Sequence, residues 1–184
     1  MDPLHSPADA ARPTPEPEAS GVAGLSNRRL GVSELPRFQL FSAEWREGQP
    51  LPTRSTADGD GSPPPLTWDR VPGEPRSFVL ICEDPDAPKP TPFVHWLVYG
   101  IPGHVRDLDA NVSEFREGLN GRNERGFRPA APPPGSGPHR YYFQLFALDN
   151  EITLLPGSDR EALLEAMAGH VTAWAEIVGT YARD

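Results

Sequence analysis

From Phe38 onward, short apolar runs alternate with clusters of turn-forming residues, the pattern of strands joined by loops. Residues 38–41 make a short strand candidate. Residues 77–82 (SFVLIC) and 93–99 (FVHWLVY) are β-branched and aromatic, bounded by prolines, and read as buried strands. His139–Leu148 (HRYYFQLFAL) is the clearest strand, alternating aromatic and polar positions until an all-apolar end, and Val171–Tyr181 is the last. One helix is marked. Ser158 with Glu161 three residues on forms a capping-box pattern, Leu163, Leu164, Met167 and Val171 share one apolar helical face, and Gly169 suits a stop. Residues 47–65 are loop-like, broken by Asp58-Gly59-Asp60-Gly61 and the Ser62-Pro63-Pro64-Pro65 run. Residues 104–128 are polar and read as a long loop with at most one short helix. Strands dominate, with one real helix and no βαβ alternation or internal repeat, so the fold class is mainly β (α+β).

Residues 1–25 lack this patterning. They carry five prolines among alanines and acidic residues, too little apolar surface to offset the entropy of ordering. The expected organisation is a disordered Pro-rich tail at 1–25 and one domain at 26–184. A length of 184 residues suits a single domain with one sizeable core.

A net charge of −9 counts against nucleic acid or an anionic membrane surface as partner, since both demand a basic face. It leaves room for one local anion pocket. Cys82 is the sole cysteine, so neither an intramolecular disulfide nor a cysteine metal cluster is expected. No run of about 18 apolar residues argues for membrane insertion, and no basic segment followed by an apolar stretch opens the chain. A cytoplasmic bacterial protein is the expectation. The sixteen arginines beside the single Lys89 read as compositional bias of the source genome.

Three clusters hold candidate chemistry. Glu83-Asp84-Pro85-Asp86-Ala87-Pro88 follows a buried strand, and Pro85 must end or bulge it, leaving two carboxylates at a strand end. The same residues also read as a turn whose aspartates cap backbone N–H groups. His95-Trp96 lies inside an apolar strand, where alternation sends histidine to one face and tryptophan to the other. A lone histidine there is commonly structural. The third cluster, Pro132 to Tyr141 (PPPGSGPHRY), places Gly135, Ser136 and Gly137 in a permissive turn whose backbone N–H groups suit an anion nest. His139 and Tyr141 then share one strand face, with Arg140 on the other.

Together these residues resemble the phosphatidylethanolamine-binding protein (Raf kinase inhibitor protein-like) family, bacterial branch. The resemblance rests on DPDAP (84–88), HW (95–96), PPPGSGPHRY (132–141) with FQLFALD (143–149), SPPPLTW (62–68) and GHVTAWAEIVGTY (169–181), and covers roughly residues 34–182. It implies two packed β-sheets and a pocket for phosphate-like or carboxylate groups. Asp84, Asp86, His95, Pro133, Gly135, His139 and Tyr141 would form the pocket, with Phe127 at its rim. Where relatives read G-Y-x-G-P, this chain has Gly126-Phe127-Arg128-Pro129-Ala130, which stiffens that wall and adds a cation. The two aspartates would orient histidine donors rather than face the anion.

The expected function is binding of a small anionic ligand (phosphate, carboxylate or phospholipid head group), with a regulatory or enzyme-inhibitor role, no cofactor, and a protein partner or homodimer left open. Enzymatic activity is not expected. The alternative is a hydrolase using Asp/His acid–base groups on an ester or phosphate. Ser136 beside His139 is the nearest nucleophile for it, with no base–orienter chain expected behind it. A metal site from Asp84, Asp86, His95 and His139 lacks supporting HxH or HExxH spacing.

Overall fold

The computed structural model describes residues 21–184, so most of the expected tail lies outside the described residues. Its last part does not match the expectation. Gly21–Gly24 forms a 3-10 turn and Leu25 is only 1% exposed, so the packed body has begun before residue 26. One buried leucine between glycines and polar residues gives no periodicity for a pattern to detect.

Eight strands follow: β1 (Gln39–Phe41), β2 (Leu66–Asp69), β3 (Ser77–Asp84), β4 (Phe93–Pro102), β5 (Asp107–Leu108), β6 (Arg116–Glu117), β7 (His139–Leu148) and β8 (Val171–Tyr181). The helices are α1 (Ser26–Arg29), a single turn, and α2 (Arg160–Met167). A three-stranded sheet runs β1-β2-β5 and a five-stranded one β6-β4-β3-β7-β8, with every pair between these strands antiparallel. The expected mainly-β class with one principal helix is what the chain adopts. Within the expected loop at 104–128 lie the two-residue β5 and β6 and a 3-10 turn, Val112–Glu114.

The large sheet is buried on both faces, which explains why β3 is an unbroken apolar run up to its carboxylates. Phe78, Leu80 and Cys82 point into the core between the sheets, together with Trp68, Phe143 and Leu145. Val79 and Ile81 point the other way, against Leu163, Leu164 and Met167 of α2. The cap of α2 differs from the expectation. Asp159, not Ser158, accepts the Ala162 N–H at 2.9 Å, while the Ser158 hydroxyl donates back to the Leu155 carbonyl and Glu161 pairs with Arg29. Gly169, at φ 76°, supplies the left-handed turn just past the helix.

At the end of β3, Glu83 projects to the α2 side and is fully buried. Its carboxylate accepts the Ser26 N–H at 2.9 Å and the Gln144 amide at 2.7 Å, and pairs with Arg160 Nε at 2.6 Å. Arg160 also donates to the Gly24 carbonyl, so one buried ion pair fastens the N-terminal segment to α2 and the sheet.

Candidate functional site

Pro85 ends β3, as its missing N–H requires, and the turn after it is held by the carboxylate before it. Asp84 Oδ1 accepts the N–H groups of Asp86 and Ala87 at 2.8 and 3.1 Å. The β3–β7 register sets Glu83 against Tyr142, which brings Asp84 beside Tyr141 and within reach of His139. Asp84 Oδ2 accepts the His139 Nδ1–H at 2.8 Å, with both side chains buried. This is the orienting role foreseen for an aspartate. The other nitrogen, Nε2, lies 3.2 Å from Ser136 Oγ. A base–orienter chain therefore stands behind Ser136, against the expectation, because strand pairing joins residues 55 positions apart.

His95 sits where β4 slips register against β3: Cys82 pairs with Trp96 but Glu83 with Val94. That bulge defeats simple alternation. His95 packs edge-on to Tyr141 and Trp96 meets Phe127 edge-on, so both neighbours serve the side of the sheet that carries the inter-sheet core. His95 Nδ1 lies 2.6 Å from the Arg128 carbonyl, which only accepts, so Nδ1 carries the proton. Burial lowers the His95 pKa to about 4, with the Arg128 carbonyl and Asp84 pulling the other way. The ring is neutral at pH 7 and Nε2 is a lone-pair acceptor, not a cationic donor.

These side chains face a cavity of about 180 Å³, lined also by Phe93, Pro132, Pro133 and Pro129 and by three cations, Lys89, Arg122 and Arg128. Tyr141 is 1% exposed and its hydroxyl has no partner among the described residues. Burial, then Asp84, pushes its pKa upward, so the hydroxyl keeps its proton and stands as a donor. The far wall is fixed: the Arg128 N–H donates to the His95 carbonyl at 2.8 Å, and Ala130 bridges to Thr56. Phe93 is packed against Gly121, where an added Cβ would lie 2.5 Å from its ring.

The match to known proteins agrees with this architecture. The family model described as phosphatidylethanolamine-binding protein matches residues 41–182. The chain belongs to the phosphatidylethanolamine-binding protein family. It is 44% identical over 140 residues to a UPF0098 protein of Methanothermobacter thermautotrophicus, covering 72% of this chain and 91% of that one. The crystal structure of a phosphatidylethanolamine-binding protein homologue, CT736 of Chlamydia trachomatis, is similar at TM-score 0.75 and 40% identity, covering 80% of this chain and 99% of that one. YbcL of E. coli, described as a member of the mammalian family, is similar at TM-score 0.73 and 31% identity, with the same coverage.

Of the residues expected in the family pocket, Asp84, His95, Pro133, His139 and Tyr141 line the cavity, and Asp86, Gly135 and Phe127 do not. Asp86 turns to Arg140, accepting from its backbone and guanidinium at 2.7–2.9 Å; those bonds, led by the guanidinium, hold the Asp86 carboxyl below the usual range. Phe127 packs against Trp96 as a flank of the core. The nest expected at 135–137 is mostly occupied: Gly135 N–H donates to the Arg183 carbonyl and Ser136 N–H to that of Pro133. Of the four residues of the metal reading, Asp86 turns away to Arg140, and no group of three or more His, Cys, Asp or Glu side chains among the described residues is placed to hold a metal ion. The cations Lys89 and Arg122 and the ring of Phe93 were missed. Loop cations carry no periodicity, and their direction is set by tertiary packing.

Proposed function

We propose that this family member binds a small anionic group, phosphate-like or carboxylate, in the cavity between β3, β4 and β7. The observation that carries the reading is the pairing of the cavity-lining Tyr141, whose hydroxyl makes no hydrogen bond among the described residues, with a rim of Lys89, Arg122 and Arg128 in a protein of net charge −9. Positive side chains collected at one concavity of an acidic surface concentrate anions there. The volume is below the roughly 300–1,000 Å³ common for drug-sized ligands, which favours a head-group-sized ligand. No helix among the described residues is long and apolar enough to cross a membrane. A regulatory role through such a ligand, on a partner protein, fits the same pocket.

The donors in this reading are guanidinium, ammonium and phenol rather than imidazolium. Calorimetric titration with sulfate, which does not itself titrate near neutrality, tests it. Guanidinium and ammonium groups keep their charge between pH 5.5 and 8, so affinity stays level across that range. Arg128→Ala weakens it about tenfold, the order expected for one charge-assisted hydrogen bond. Affinity unchanged in Arg128→Ala and Arg122→Ala, or no binding at all, would overturn the reading. A more than tenfold fall from pH 5.5 to 8 would instead return the imidazoles to the role of donors.

A further inference from the structure

The Asp84–His139–Ser136 chain has the connectivity of a nucleophile with its base and orienter. His139 Nδ1 is held at 2.8 Å by Asp84 Oδ2, and Nε2 meets Ser136 Oγ at 3.2 Å. Asp84 is itself fixed, because Oδ1 is tied down by two backbone N–H groups. The ring between them is 5% exposed, while Ser136 stands exposed beside the cavity-lining Pro133. Gly135 and Gly137 flank it at φ 75° and 80°, left-handed geometry that turns the loop sharply and keeps bulk away from the hydroxyl. Among the described residues the Gly137 N–H donates to no carbonyl, and it lies one residue past the serine, where an oxyanion donor is found in other acyl-transfer sites.

We propose that Ser136 is a nucleophile for acyl transfer, with His139 as its general base and Asp84 as the positioning residue, acting on a small carboxylic ester that carries an anionic group. The resting hydroxyl has one proton and three acceptors in reach, His139 Nε2, the Pro133 carbonyl at 2.7 Å and the Gly137 carbonyl at 3.5 Å, so attack begins when the proton lies toward the ring. Oγ adds to the ester carbonyl as its proton passes to Nε2. The tetrahedral oxyanion then collapses, breaking the bond to the alcohol, which leaves with the proton from Nε2. Water, deprotonated by the same nitrogen, hydrolyses the acyl-serine to the carboxylic acid and regenerates the hydroxyl. The anionic part of the substrate rests on the cavity reading above; the reactivity of Ser136 does not.

Phenylmethylsulfonyl fluoride and p-nitrophenyl hemisuccinate test the two parts separately. The fluoride is expected to add one sulfonyl group at Ser136, located by peptide mass spectrometry, with fluoride as the leaving group. His139→Gln slows labelling by about 100-fold or more, and Ser136→Ala abolishes it. The succinate ester is hydrolysed faster than p-nitrophenyl acetate. Asp84→Asn, which keeps an acceptor for the turn N–H groups, lowers kcat with KM held. No adduct at Ser136 beyond that of the urea-unfolded chain, or equal hydrolysis by parent and Ser136→Ala, would overturn the proposal and leave Ser136 as a cap on His139. Labelling at Ser136 with equal rates on the two esters would overturn the substrate class alone.

Discussion

Glu83 and Asp84 are consecutive on β3, both buried, and face opposite sides of the same sheet. Glu83 is enclosed by Arg160, Ser26 and Gln144, partners that are themselves buried. Asp84 binds His139 and two turn N–H groups, but its network continues outward to the exposed Ser136 and borders a cavity where the Tyr141 hydroxyl and His95 Nε2 make no hydrogen bond among the described residues. One carboxylate closes a network and the other leaves one open. A closed network fastens segments together; an open one keeps polar atoms in place for something the protein does not supply.

The largest effect expected from this contrast is on the closed side. Glu83→Gln keeps the shape but leaves the Arg160 charge buried and unpaired, and is expected to cost about 3–5 kcal/mol in urea unfolding. The double variant Glu83→Gln/Arg160→Met should cost less than the sum of its parts. A loss below about 1 kcal/mol for the single variant would show that water reaches the pair. On the open side, His95 links the cavity to acid stability. Its folded pKa of about 4 lies under the ordinary 6.5, so on acidification the unfolded chain takes up the proton first. The stability this ring contributes is full above pH 6.5 and is lost as pH falls toward 4, by about 3 kcal/mol in all. His95→Gln should flatten that slope in denaturation curves between pH 4 and 7; an unchanged slope would place the titration elsewhere. Asp84→Asn is expected to cost about 1–2 kcal/mol, less than Glu83→Gln, because an amide oxygen still serves the turn and no buried arginine loses its partner. Equal losses from the two amides would erase the contrast.

Much of this was legible from residue order alone. The bounds of β7 and β8 and the buried face of α2 follow from apolar periodicity, which reports burial directly. The cap of α2 was misplaced by one residue because Ser158 and Asp159 are both good caps, and only backbone geometry selects between them. The bulge that brings His95 and Trp96 to the same side has no sequence signature; it is a register slip between two apolar strands. Family likeness supplied Asp84, His95, Pro133, His139 and Tyr141. It could not say that Asp86 would be drawn away by Arg140, since an aspartate beside a turn and one in an ion pair look alike in a sequence. The Glu83–Arg160 pair, 77 residues apart in the chain, was likewise invisible to local pattern.

Tyr141→Phe isolates the open network most directly, because it deletes one oxygen that makes no hydrogen bond among the described residues and preserves the ring that packs on His95. Sulfate affinity by calorimetry and unfolding free energy in urea are to be measured on the same preparation. Affinity is expected to fall about tenfold, the size of one lost hydrogen bond to an anion, while stability stays within about 0.5 kcal/mol of the parent. A stability loss above about 1 kcal/mol with affinity unchanged would mean that the hydroxyl belongs to the fold, and would contradict the reading of this cavity as a binding site.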